Sequence, residues 1–194
     1  DGIRIDLHVE TVEHMKTAIL EDKLCRILLD KTGILPKISE ATDRDYWVQK
    51  PSREQYLATC NEFWWCSNNI AKGLWRREMT YVQDMTNLYV RPELGKILSW
   101  KVGILTDFSV SVGKSGKYMY RWLEPEEWQE YLSTWFSCDV EEAWEAVLRM
   151  CRLFEKTAIF VGEQLGYEYN REEGENAFGY LKQVKDMPRE ADGE

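Results

Sequence analysis

The sequence predicts a mainly α-helical protein, a helical bundle preceded by a single β-strand, and three observations carry that reading. Residues 3–10 alternate: Ile3, Ile5, Leu7 and Val9 are apolar, while Arg4, Asp6, His8 and Glu10 are polar. This is the period of a strand with one buried face. Beyond residue 10 the apolar spacing changes to three and four and stays there. Helix start and stop signals then recur to the end of the chain.

Taken in order, Asp1-Gly2 reads as the turn of a hairpin whose first strand is missing, so the chain is expected to begin inside a sheet. Leu20, Leu24, Ile27 and Leu28 share a helical face, and Thr32-Gly33 with Pro36 should stop that helix. Residues 36–51 are a polar linker ending in Lys50-Pro51. Ser52 and Gln55 form a capping-box pattern opening a long helix that is expected to run toward Leu88, with a weak point at Gly73. Pro92 suits the first turn of the next helix, whose stripe is Leu94, Ile97, Leu98, Lys101 and Leu105. A Gly- and Ser-containing loop spans 108–116. Pro125-Glu126-Glu127 starts another helix with acids at its positive end. Asp139 opens the last apolar stretch, through Trp144, Val147, Leu148, Cys151, Phe154 and Ile159 toward Gly166. Residues 187–194 lack apolar anchors and read as a frayed tail.

Composition narrows the function classes. With 25 basic against 34 acidic residues the net charge is −9, which opposes a phosphate backbone and favours cationic ligands. Nucleic acid is not an expected partner. No run of apolar residues is long enough for a membrane span, and no signal-like start is present, so a cytoplasmic protein is expected. The 5 cysteines have no CxxC spacing and only 2 histidines could join them. They read as reduced, packed thiols rather than as a zinc site.

Four segments carry a family resemblance: Asn61-Glu62-Phe63-Trp64-Trp65, Ala71-Lys72-Gly73-Leu74-Trp75-Arg76-Arg77-Glu78, Leu98-Ser99-Trp100-Lys101-Val102-Gly103, and Phe108 through Tyr118 with Gly113-Lys114-Ser115-Gly116-Lys117. Together they resemble the helical C-terminal half of the streptomycin-modifying aminoglycoside 6-adenylyltransferases, over residues 1 to about 169. The resemblance implies a domain plan: 1–35 the remnant strand and helix of a truncated nucleotidyltransferase α/β domain, 36–51 a linker, 52–186 a helical domain for substrate and nucleotide closure, and 187–194 a tail. It also implies ATP, Mg²⁺ and an aminoglycoside as reactants, with a monomeric enzyme. Such enzymes carry a Gly-Ser pair and an Asp-x-Asp motif that no segment here matches, so this chain alone is expected to be inactive.

Asp6 resembles the family's third acidic residue, on a strand after a Gly-containing turn, which implies a metal-side carboxylate or general base for the acceptor hydroxyl. From spacing alone it would be a solvent-facing strand residue. Asp43-Arg44-Asp45 is rejected as a metal pair, because it follows no Gly-Ser turn; turn and capping roles are expected. Lys117, then Lys114, are the phosphate candidates: two glycines would let backbone N–H groups approach an anion, and two lysines would neutralise a leaving pyrophosphate. The order of residues is not that of a Walker motif, and an exposed basic loop is the competing reading. For a polycationic acceptor the candidates come from an acidic and aromatic set, Glu62, Trp64, Trp65, Trp75, Glu78, Asp84, Glu93 and Trp100, with Glu62, Trp65 and Glu93 foremost. Most of the 9 tryptophans are expected in the core. Two other readings remain open at this stage: a related nucleotidyltransferase with a different hydroxyl acceptor, and a non-catalytic helical module for a basic ligand.

Overall fold

The computed structural model describes residues 2–188. The chain divides into two compact units between Trp47 and Val48. Helices predominate, and there is no strand among the described residues.

The first unit has one α-helix, α1, Val12–Glu21, capped by the Thr11 side chain, which accepts the His14 N–H. Two expectations are corrected here. The alternating segment 3–10 is not a strand: Ile3, Ile5, Leu7 and Val9 are 81–90% exposed. Alternation specifies a face, but a strand exists only through ladder hydrogen bonds to a neighbour, and the described residues offer none. The helix through Leu24 and Leu28 is likewise absent, because α1 stops at Glu21 and the Asp22 carboxylate accepts the Leu24 N–H at 2.8 Å, a local bond that competes with helix. Thr32-Gly33 is a loop built around Asp30, whose carboxylate accepts the N–H groups of Thr32, Gly33 and Leu35 at 2.9–3.2 Å. The Leu35 N–H, first among these, holds the Asp30 pKa below its ordinary value. Asp43 stands at the start of a 3₁₀ turn, Arg44–Tyr46, as the expected turn residue, but its side chain makes no cap bond and instead accepts the Trp47 indole N–H at 2.9 Å.

The second unit opens with α2, Arg53–Trp75, under a complete capping box: Ser52 Oγ accepts the Gln55 N–H and Gln55 Oε1 accepts the Ser52 N–H. The helix does not continue to Leu88. It ends at Trp75, and the chain reverses through Arg77, held at φ 59°. Gly73 explains the reversal: a Cβ there would stand 2.8 Å from Val82 and 2.9 Å from Tyr81, so only glycine lets α3, Met79–Asp84, fold back onto α2. A π-helical turn, Met85–Val90, joins α3 to α4, Arg91–Leu105, with Pro92 in its first turn. Leu94, Ile97 and Leu98 of the predicted stripe are fully buried, whereas Leu105 is half exposed. Lys101 departs from the stripe's apolar character by pairing with a buried acid.

A loop over 106–124 leads to α5, Pro125–Leu132, and then to α6, Val140–Leu165, capped by Asp139 and ended by Gly166 at φ 73° as the spacing predicts. The last helix, α7, Arg171–Asp186, is capped by Asn170 and buries Ala177, Leu181 and Val184. α2 packs on α7 and α4 on α6. At the centre the Phe63 and Phe154 rings stack at 3.6 Å with 4° between planes, and Trp64 meets both edge-on. The buried Tyr56 hydroxyl donates to the Ala158 carbonyl at 2.8 Å. Among the described residues no helix is long and apolar enough to cross a membrane. Of the tail expected at 187–194, only Met187 and Pro188 lie within the described residues.

Candidate acceptor groove and basic loop

Helix α2 places Gln55, Ala58, Thr59 and Glu62 one above another, and α4 brings Glu93, Lys96 and Trp100 to face them. With Gln49, Lys50 and Pro51 they line a groove of about 530 Å³, lying within the second unit. Two sequence-predicted carboxylates, Glu62 and Glu93, therefore share one concavity with an indole from the same acidic and aromatic set. Trp65 does not line it and is itself 68% exposed. The remaining members are dispersed: Trp64 is core, Trp75 is half-buried, Glu78 precedes α3, and Asp84 is exposed.

The two acids differ in setting. Glu62 is exposed and accepts a bond from the Cys66 thiol at 3.2 Å. Burial first, and the carboxylate second, push that thiol's pKa up to about 11, so Cys66 stays a donor near neutrality. Glu93 is 8% exposed, and both its oxygens meet the Lys96 ammonium, at 2.7 and 2.9 Å. A second depression, about 610 Å³ in volume, passes Arg53, Glu163, Tyr167, Glu168 and Arg171. Its charged side chains are all exposed and mixed in sign, and Tyr167 is committed to the Pro51 carbonyl. The smaller groove is the better receptor for a cation because it alone presents a buried carboxylate beside an aromatic face.

The basic loop is corrected in its mechanism. Its backbone N–H groups are largely consumed internally: Gly113 donates to Ser111 Oγ, Gly116 to the Gly113 carbonyl, Lys117 to the Lys114 carbonyl and Tyr118 to the Val112 carbonyl. The glycines serve conformation instead, both standing at φ 71°. A Cβ on Gly113 would lie 2.6 Å from the Tyr118 ring, and one on Gly116 equally close to Met119. Charge for an anion must come from the exposed side chains of Lys114 and Lys117. Lys117 Nζ lies 4.8 Å from the Tyr118 ring centroid, and the Arg121 guanidinium, at 4.1 Å, shares that ring. Sequence reasoning missed Arg121; its signal was the spacing of four from Lys117 across a tyrosine.

The loop's neck is closed by an ion pair between Lys101 of α4 and Glu127 of α5, at 2.6 and 2.7 Å, with side-chain exposures of 16% and 5%. The loop thus leaves and re-enters the bundle at one buried clamp. Asp6 lies in the first unit, exposed, and accepts from Arg4 Nε at 2.8 Å. No three His, Cys, Asp or Glu side chains gather to hold a metal among the described residues. The cysteines are free thiols: Cys60, Cys66 and Cys151 are buried in helices, whereas Cys25 and Cys138 lie outside helices.

Comparison with known proteins agrees across sequence and structure. The family described as Streptomycin adenylyltransferase matches residues 1–184. Aminoglycoside 6-adenylyltransferases of Bacillus subtilis and Campylobacter jejuni are 33% and 35% identical to the chain, each over 87% of its length. The chain spans 60% and 59% of those two relatives. The crystal structure of an aminoglycoside 6-adenyltransferase from Bacillus subtilis superposes with a TM-score of 0.66 at 33% identity, covering 75% of this chain and 55% of that one.

Proposed function

The chain belongs to the streptomycin adenylyltransferase family, and from that premise we propose that it forms part of an enzyme transferring AMP from ATP to a hydroxyl of a streptomycin-type aminoglycoside, giving resistance. The observation that carries this reading is the groove in which Glu62 and Glu93 face one another beside Trp100. Aminoglycosides are polycations, and a receptor for one needs fixed carboxylates with an apolar or aromatic wall. We take the 52–186 segment as the acceptor-holding and nucleotide-closing part, and 1–35 as belonging to the nucleotidyltransferase part. The protein is proposed to act as a cytoplasmic monomer without nucleic-acid partners.

In this reading the acceptor hydroxyl attacks the α-phosphorus of ATP, pyrophosphate leaves, and the hydroxyl proton passes to a carboxylate, proposed as Asp6. Lys117 and Lys114 neutralise the departing pyrophosphate through their side chains, with Arg121 beside them. Mg²⁺ is proposed as the ion that accompanies ATP. The described residues do not make a site for it by themselves, since Asp6 is a single exposed carboxylate paired with Arg4.

The test is an assay of the intact protein containing this chain, with ATP, Mg²⁺ and streptomycin, following the adenylylated drug by mass spectrometry. Asp6→Asn should nearly abolish turnover. Lys117→Ala should lower kcat/KM for ATP by about one to two decades, and more than it affects drug binding. Absence of adenylylated drug from the unsubstituted protein would refute the reading.

A further inference from the structure

Glu93 and Glu127 are the two buried acids among the described residues of the second unit, and each is held by a lysine. The two pairs differ in one respect that bears on function. Lys101 is itself buried against Glu127, with only 16% of its side chain exposed. Lys96 holds Glu93 while 53% of its own side chain is exposed, and the pair faces an open groove. A buried carboxylate needs a cation in contact, whereas an exposed lysine stem exchanges its partner for water at little cost.

We propose that Lys96 is an internal stand-in for the ligand's cationic group: it neutralises Glu93 in the free protein, and an ammonium or guanidinium of the acceptor displaces it into solvent. This rests on the reading of the groove as the acceptor site and adds a specificity device to it. A neutral sugar hydroxyl cannot take over the charge of the lysine, so it leaves Glu93 paired and gains nothing there. A cationic group can replace Nζ at the same two oxygens, now 2.7 and 2.9 Å from the lysine. Glu62, across the groove, accepts from the Cys66 thiol and makes no ion pair with a lysine or arginine among the described residues. Lys96 then sets how cationic a ligand must be before it binds, at some expense in affinity.

The experiment is calorimetric titration of streptomycin into the 194-residue chain and its Lys96→Met, Lys96→Arg, Glu93→Gln, Glu62→Gln and Lys96→Met/Glu93→Gln variants, with circular dichroism confirming that each is folded. Lys96→Met keeps the stem but removes the competitor, so binding should tighten by about three- to tenfold, the range expected for losing a half-exposed competing pair. Lys96→Arg retains a competitor able to grip both oxygens and should bind as weakly as the wild type or more weakly. Glu93→Gln should weaken binding about tenfold or more, and in its background Lys96→Met should have no effect. Weaker binding by Lys96→Met, restored by Lys96→Arg, would overturn the proposal by showing that the lysine orients Glu93 for the ligand. Unchanged affinity in Lys96→Met alongside a weakened Glu93→Gln would overturn it too, while leaving the groove in place. If neither Glu93→Gln nor Glu62→Gln alters binding, it is the groove reading that fails.

Discussion

The two units of the chain meet the same rule of apolar patterning with opposite results. In the first, the alternating residues Ile3, Ile5, Leu7 and Val9 are nearly fully exposed, and Ile19 is the one buried apolar side chain among the described residues. In the second, apolar residues spaced at three and four build a continuous buried core around the Phe63–Phe154 stack, while others such as Trp65, Leu88 and Leu105 stay exposed. A helix satisfies its own backbone hydrogen bonds and needs a neighbour only for its apolar stripe, whereas a strand needs a neighbour for both. The second unit supplies its own neighbours through α2, α4, α6 and α7. The pattern of residues 3–10 names a face without naming a partner.

The largest test of this contrast is a pair of truncations. Phe154→Ala should destabilise the second unit by about 3–5 kcal/mol, because its ring is sandwiched at full burial and the cavity cannot collapse. Leu7→Ala should change stability by less than about 0.5 kcal/mol. Urea unfolding followed by tryptophan fluorescence and circular dichroism measures both, and comparable losses would erase the distinction between the units.

Next in size is the clamp at the neck of the loop. Glu127→Gln leaves the Lys101 ammonium buried without its counter-charge, and a loss of about 3 kcal/mol is expected. The double variant Lys101→Met/Glu127→Leu removes both charges and should recover most of that loss. If the single and double variants are equally unstable, the pair acts through shape and not charge.

A smaller effect separates the units by pH. Burial pushes the thiols of Cys60 and Cys151 up to about 12 and that of Cys66 up to about 11, all in the second unit. A raised folded-state pKa means that the folded form resists ionisation. The stability these thiols contribute is complete below their unfolded pKa of about 9 and is lost as pH rises through the window from there to 11–12. The melting temperature should therefore fall between pH 9 and 11, with a shallower slope in Cys60→Ala/Cys151→Ala, each thiol counting for roughly 1 kcal/mol per pH unit. A slope unaffected by the substitutions would exclude the thiols as its source.

How much was legible in the sequence follows the same division. The capping box at Ser52, the proline start of α4 and the Asp139 and Gly166 ends of α6 could be read because each depends on residues close along one helix, whereas Glu62 and Glu93 were legible as acidic candidates and their shared groove was not. The reversal at Arg77 was not legible, since Gly73 reads as a weak helix position unless Tyr81 and Val82 are known to return to it. Lys101 reads as a stripe residue from spacing alone, because its partner, Glu127, is 26 positions away. The glycines at 113 and 116 were read as opening N–H groups to a phosphate, but positive φ and close ring packing account for them.

The proposed hold on a cationic acceptor rests on two carboxylates of the second unit, Glu62 and Glu93, which line one groove. Calorimetric titration of streptomycin into the 194-residue chain and its Glu62→Gln/Glu93→Gln variant tests it most directly, with Asp6→Asn as the control in the first unit. Measurable binding by the wild type, unchanged in Asp6→Asn and weakened about a hundredfold in the double variant, is the predicted result. Equal affinity in the wild type and the double variant would mean that these two carboxylates do not hold the acceptor.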